Sequence, residues 1–324
     1  MSEHFIREIE IKNYKLFQDF KAEGFGRVNL IGGKNNVGKT AFMEACVLAV
    51  AKNTKQLYYN ILVIDTIRNT PNIFIKKSTP DEGLNDLLDN KNDFELMSNL
   101  GKSFISKGNT FAICTQNVEV EMNIDALSNF IKSNIGLQLK YAFSNVLLSS
   151  HMIADDFLKV IIGELKLRKK YSLLNQYLSE IFAIDLVDII NDKVYIQVDD
   201  EFKPLSNYGM GVKSFINIIA ALLFPKENAN IFIDEIENGI HYTNLDKLWE
   251  IILTVSKDQN VQVFATTHSK ECIESYNRVQ RKLDESDTYY FEMIKNIKTE
   301  KVFMRKLDSH QLEYELTHKG EFRG

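Results

Sequence analysis

Apolar and charged residues alternate from Ile6 to Ile11, which predicts a strand, and Val28-Asn29-Leu30-Ile31 is a short buried run that predicts a second, ending in Gly32-Gly33. The period then changes. From Thr40 to Ala51 the residues Phe42, Ala45, Cys46 and Ala49 recur at helical spacing. Between about Asn53 and Asp199 the pattern is less regular and reads as mostly helical, with Leu174, Tyr177, Leu178, Ile181 and Phe182 marking one amphipathic helix. Regularity returns with a strand over Val194 to Val198 and a glycine-bearing loop from Ser206 to Gly211. A helix follows, with Val212, Phe215, Ile216, Ile219, Leu222 and Leu223 on one face. Next come a buried strand at Ile231-Phe232-Ile233, a helix stripe at Leu245, Leu248, Trp249, Ile252 and Val255, and a strand from Val261 to Ala265. Thr288 to Leu307 reads as a hairpin turning near Asn296 to Glu300. There is no internal repeat and no sustained heptad.

The 324 residues suffice for one large domain or two modest ones, and 44% apolar with 26% charged residues is ordinary globular composition. The longest apolar run, Phe215 to Phe224, is ten residues and contains Asn217, which is too short to cross a bilayer. The first five residues show no basic segment followed by an apolar one, so no secretory signal is expected. Cys46, Cys114 and Cys272 are widely spaced and outside metal-ligand spacing, as expected of buried reduced thiols in a cytoplasmic protein. A net charge of −5 does not suggest a chain that coats nucleic acid, although it leaves local patches open.

Three segments carry chemistry. Gly33-Lys34-Asn35-Asn36-Val37-Gly38-Lys39-Thr40 fits G-x-x-x-x-G-K-[ST], a pattern that arises by chance in a chain this long roughly once in a hundred. Its position between a buried strand and a helix is the context such a phosphate loop needs. The glycines let backbone N–H groups curl toward phosphates, and the helix starting at Thr40-Ala41 adds its positive end. Lys39, expected on a solvent-facing loop, would reach the β- and γ-phosphates of ATP, and Thr40 would place its hydroxyl on Mg²⁺. Ile231-Phe232-Ile233-Asp234-Glu235 would then bring Asp234 to the metal, mostly through water, and Glu235 to the attacking water. The strand from Val261 ends at Thr266-Thr267-His268, where the histidine could hydrogen-bond the γ-phosphate from the side opposite Lys39.

These elements resemble the ABC ATPase heads of SMC proteins and RecF, and Ile11-Lys12-Asn13-Tyr14-Lys15-Leu16-Phe17 strengthens the likeness. In those heads a similar stretch borders the nucleotide, which implies a nucleotide contact for Lys15. Asp234-Glu235-Ile236-Glu237-Asn238-Gly239-Ile240-His241, with Leu248-Trp249, Val261 to His268 and the tail Leu312 to Leu316, is similar to a bacterial ATP-binding family related to the ATPase half of OLD nucleases. The likeness is strongest over residues 5–50 and 203–276. It implies a signature loop that completes a partner head's site, and Leu205-Ser206-Asn207-Tyr208-Gly209-Met210-Gly211-Val212-Lys213 occupies its place. That loop departs from Leu-Ser-Gly-Gly. Aligning on the serine selects Ser206, aligning on the lysine selects Gly209, and Gly209 and Gly211 let amides approach an anion either way. The same family places Glu237, Asn238 and His241 along the two-head interface, while an ordinary loop role remains open for His241. Gln116 is a weak candidate for the lobe-bridging glutamine.

The expected fold is α/β, a P-loop NTPase of the ABC-head type with a mixed sheet. Residues 1–52 and 191–324 would form the head, and residues 53–190 a mostly helical insertion too short for SMC coiled-coil arms. A basic cluster in that insertion, Lys166, Arg168, Lys169 and Lys170, reads as a solvated helix face or as a docking site for nucleic acid or protein. The functional expectation is an ATP- and Mg²⁺-dependent ATPase working as a head-to-head pair. By resemblance, its effector would be a separate TOPRIM-like nuclease in anti-phage defence. A RecF-like DNA-binding repair factor and an ATP-switched non-enzymatic scaffold are the competing readings.

Overall fold

The computed structural model describes residues 4–53, 56–57, 59–61, 63–64, 93–106, 110–115, 118–123, 145–148, 155–225, 228–296 and 298–318. Its central sheet takes strands from both ends of the chain. The strands are β3 (Val28–Gly32), β8 (Asn145–Leu148), β12 (Asn230–Ile233), β13 (Gln262–Thr266), β14 (Thr288–Lys295) and β15 (Val302–Leu307), in the order β15-β14-β3-β13-β12-β8. All neighbours run parallel except β15, which returns antiparallel along β14 as the expected hairpin. The sheet is therefore mixed, and β3, β13 and β12 lie side by side with Ile231 opposite Val263 and Val263 opposite Val28.

A parallel sheet covered on both faces needs strands that are apolar throughout. Every residue of β12 and β13 is buried. Alternation sends Ile231, Ile233, Val263, Ala265, Val28 and Leu30 into one core. That core also takes residues from helices α4 (Met210–Leu223), α5 (Leu245–Asp258) and α6 (Lys270–Lys282). Phe232, Phe264, Phe291 and Ile31 enter the other core, which holds α1 (Lys39–Ala49). There Phe25 sits 5.2 Å from Phe264, 4.7 Å from Phe291 and 5.9 Å from Phe42. Each such ring contributes about 1.5–3 kcal/mol by leaving water. Ten of the eleven residues of α1 are buried, as expected for a helix held between two layers. Thr40 is its exposed residue.

The second layer is an antiparallel sheet in the order β2-β1-β4-β5-β6-β7. It is built from β1 (Glu8–Tyr14), β2 (Phe17–Glu23), β4 (Phe94–Ser98), β5 (Gly101–Ser106), β6 (Thr110–Thr115) and β7 (Val118–Asn123). Two expectations are corrected here. The first thirty residues hold three strands rather than two, because Phe17 and Phe20, three apart, break the period-two pattern of β2. The stretch expected to be mostly helical contributes β4 through β8. Val118-Glu119-Val120-Glu121-Met122-Asn123 alternates strictly and pairs antiparallel with β6. Strand β4 pairs with β1, and β8 pairs with β12. The helical expectation does hold for α2 (Asp155–Leu167) and α3 (Tyr171–Phe182). A small antiparallel sheet follows: β9 (Leu186–Ile190), β10 (Lys193–Val198) and β11 (Glu201–Pro204). Helix α7 (Ser309–His318) ends the described chain. Among the described residues no helix is long and apolar enough to cross a membrane, and Cys46 and Cys272 are buried free thiols. Gln116 lies outside the described residues.

Candidate functional site

The loop from Gly33 to Gly38 joins the end of β3 to the start of α1. Gly38 caps the helix at φ 108°, a left-handed conformation that disfavours a side chain, and a Cβ there would stand 2.9 Å from Leu16 Cδ1. The β1–β2 turn therefore closes over the loop. Lys34, Asn35 and Asn36 are exposed, Val37 is buried beneath them, and Ala41 is buried in the first turn of α1. Lys39 is not solvent-facing as expected. It is buried, and its ammonium donates to the Gly33 carbonyl at 2.8 Å and the Lys34 carbonyl at 3.1 Å. Burial lowers its pKa, against the opposing pull of Asp234, Glu237 and Glu235. Lys15 sits in the β1–β2 turn at φ 52° and donates to the buried carboxylate of Glu44 on α1. Glu44 also accepts from the Tyr14 hydroxyl at 3.2 Å.

Asp234 and Glu235 follow β12 directly. The Thr40 hydroxyl donates to Asp234 Oδ2 at 2.8 Å, and the Thr266 hydroxyl donates to Asp234 Oδ1. Burial raises the pKa of Asp234, and the two threonine bonds counteract part of that rise. Glu235 occupies the left-handed region at φ 51°, with its N–H bonded to Thr266 Oγ1 at 2.9 Å. A non-glycine residue there is unusual and marks a tightly determined turn. Three strand ends thus meet as expected: β3 supplies the phosphate loop, β12 the acids and β13 Thr266 with His268. His268 itself stands beside Glu237, whose Oε1 lies 3.3 Å from its Nδ1 and accepts its backbone N–H at 3.0 Å.

The loop before α4 is placed differently. Gly209 caps α4 with open space around it, and Ser206 is exposed, with its carbonyl 3.4 Å from Lys213 Nζ. Gly211 packs against the turn after β12, where a Cβ would come 2.4 Å from the Gly239 carbonyl oxygen. The Ser214 hydroxyl donates to the Asn238 carbonyl at 3.2 Å, so the loop is tied to the acidic turn. His241 has a local role: its Nδ1 accepts the Thr243 backbone N–H at 3.5 Å, capping a short helical turn, and lies 2.8 Å from the Thr243 hydroxyl. The basic cluster is largely spent inside the fold. Lys166 pairs with Asp188, Arg168 with Glu164 and the Phe224 carbonyl, and Lys170 reaches the Leu223 and Pro225 carbonyls. Lys169 is exposed.

Sequence reasoning missed Thr266, Glu44 and the link from Glu237 to His268. Glu44 had a readable signal, a carboxylate inside the apolar stretch Ala41 to Ala51. Thr266 had only its place at the end of β13. Among the described residues no group of three or more His, Cys, Asp or Glu could hold a metal ion.

Comparison with solved structures finds the same architecture. An SMC head bound to the C-terminal winged-helix domain of ScpA superposes with a TM-score of 0.54 at 13% identity, covering 97% of this chain and 99% of that one. An SMC head with an extended coiled coil, bound to the C-terminal domain of ScpA derived from Pyrococcus furiosus, gives 0.53 at 11% identity over 98% and 100%. The chain has the fold of an ABC-type, SMC-like ATPase head. Residues 147–274 match the family described as "AAA domain, putative AbiEii toxin, Type IV TA system", a span that includes the acidic turn and His268. Along most of its length the head is also similar to an "ATP/GTP phosphatase" of Helicobacter pylori, 29% identical over 340 aligned positions that cover 86% of this chain and 89% of that protein. A shorter stretch, 18% of this chain, is 40% identical to an uncharacterized protein of Methanocaldococcus jannaschii over 26% of its length.

Proposed function

We propose that this head binds ATP and hydrolyses it. The observation that carries the reading is the 2.8 Å bond between Thr40 and Asp234, residues 194 apart in sequence that phosphate-loop chemistry requires to share one metal ion. The hydroxyl and the carboxylate are hard oxygen donors of the kind Mg²⁺ takes, so Thr40 and Asp234 would hold the ion. Bound there, it would neutralise phosphate charge. The amides of Gly33 to Lys39 cradle the phosphates, the Lys39 ammonium adds charge, and Glu235 orients and polarises the attacking water. The relative in Helicobacter pylori bears the name of such a phosphatase, which supports the reading.

The active unit in this proposal is a nucleotide-sandwiched pair. Gly209 and the exposed Met210 face open space, Tyr242 is exposed on the turn after the acids, and a second copy would cover them by two-fold pairing. Turnover per chain should then rise with protein concentration, and Gly209→Arg should abolish that rise while leaving ATP affinity within about threefold. Concentration-independent turnover in both proteins would exclude the pair.

The cellular reading is the ATPase component of an anti-phage system with a separate nuclease effector. It is supported by the likeness of Asp234 to His241 to the OLD-related family. Tagged protein isolated with its operon neighbours tests it, and a nuclease that co-elutes only with ATP is the expected result. The competing DNA-binding reading rests on the likeness to RecF and gains little from the basic cluster, most of which is engaged by partners in the same chain.

A further inference from the structure

Three acids occupy four positions of the turn after β12, and they go to different places. Asp234 faces Thr40 and Thr266, Glu235 is held by its backbone at Thr266, and Glu237 reaches His268. We propose that Glu237 is the positioning residue for His268: it fixes the ring proton on Nδ1 and leaves Nε2 as the nitrogen available to the nucleotide or its water. One atom, Glu237 Oε1, does two jobs. It accepts the backbone N–H of His268 at 3.0 Å and lies 3.3 Å from Nδ1, so chain and ring are oriented together. A histidine nitrogen held by a carboxylate assigns the tautomer of the other.

The arrangement is costly for a purely structural contact. The Glu237 side chain is only 11% exposed, and its Oε2 is buried with no hydrogen-bond partner among the described residues. Leaving a buried acceptor unsatisfied is unfavourable, because it loses its water without gaining a donor. The same carboxylate also opposes the lowering of the Lys39 pKa that burial causes, so its charge acts on the phosphate loop as well. The turn that carries it is braced on both flanks, by Ile236 N–H on the Thr266 carbonyl at 3.0 Å and by Gly239 against Gly211. Movement of the α4 loop would therefore be felt at His268 through Glu237.

The catalytic consequence rests on the hydrolysis reading above, but the positioning claim has a readout of its own. In full-length protein labelled with ¹⁵N-histidine, the ring signal of His268 is identified by its loss in His268→Gln. Wild type should show the Nδ1–H tautomer, Glu237→Ala should revert to Nε2–H, and Glu237→Gln, which keeps an acceptor oxygen, should retain Nδ1–H. In ATP turnover, Glu237→Ala should lower kcat by about tenfold to a hundredfold, with KM within about threefold and partial rescue in Glu237→Gln. Glu237→Ala combined with His268→Gln should be no slower than His268→Gln alone. An Nε2–H tautomer in wild type, a tautomer unmoved by Glu237→Ala, or additive losses in the double variant would overturn the proposal. If Glu235→Gln and His268→Gln both hydrolyse ATP at the wild-type rate, the hydrolysis reading fails instead, and the tautomer still decides the role of Glu237.

Discussion

Lys39 is buried and Asp234 half-buried, and at both positions the surrounding protein opposes the charge. Lys39→Ala should lower ATP affinity by at least about tenfold, since a charge-assisted contact to phosphate is worth about 1.5–3 kcal/mol. The variant also leaves the Gly33 and Lys34 carbonyls without their donor, so its far-ultraviolet spectrum must be shown to match wild type; a matching fold with unchanged affinity would refute the phosphate-loop assignment. Asp234 supports a prediction about pH. Its folded pKa is raised, so the neutral carboxyl is tolerated below the ordinary value of 3.8, and stability is lost as pH rises through the folded pKa. Asp234→Asn should therefore melt higher than wild type at pH 7, with the difference closing as pH falls below about 4. An Asp234→Asn protein that melts lower at pH 7 would show that the threonine bonds outweigh burial. Residues of this kind were legible because phosphate chemistry restricts residue type at fixed spacing. Thr266 was not, because a threonine at a strand end becomes a brace only when β13 lies beside β12.

Elements were legible where one period ran long enough to dominate. The apolar strands β3, β12 and β13, the helices α4 and α5 and the hairpin β14–β15 stand within a few residues of their expected bounds. The antiparallel strands β4 to β7 are five or six residues each, and α1 begins only where Gly38 turns left-handed. Such short strands take their stability from cross-strand partners, which the sequence does not specify locally. The contact between α4 and the acidic turn was equally invisible, and it gives a sharp contrast between two glycines. Gly211→Ala forces a Cβ to 2.4 Å from the Gly239 carbonyl oxygen and should cost about 1–3 kcal/mol in urea unfolding. Gly209→Ala meets open space and should stay within about 0.5 kcal/mol of wild type. Equal effects would mean that α4 is not docked on the turn.

At the scale of the whole molecule, two sheets enclose α1, and the ends of three parallel strands assemble one site between them. Thr40 of the phosphate loop and Asp234 are 194 residues apart in sequence, so the site exists only when the central sheet is assembled. The α4 loop reaches that site through the Gly211–Gly239 contact, and a side chain at Gly209 would meet open space. The central claim is that this assembly hydrolyses ATP with Glu235 polarising the water. Single-turnover phosphate release, measured beside ATP binding in wild type and Glu235→Gln, tests it most directly. The account predicts ATP bound with similar affinity by both proteins, release by wild type, and release slowed by about a hundredfold or more in the variant. Release at the same rate in both, or no ATP bound by wild type, would contradict it.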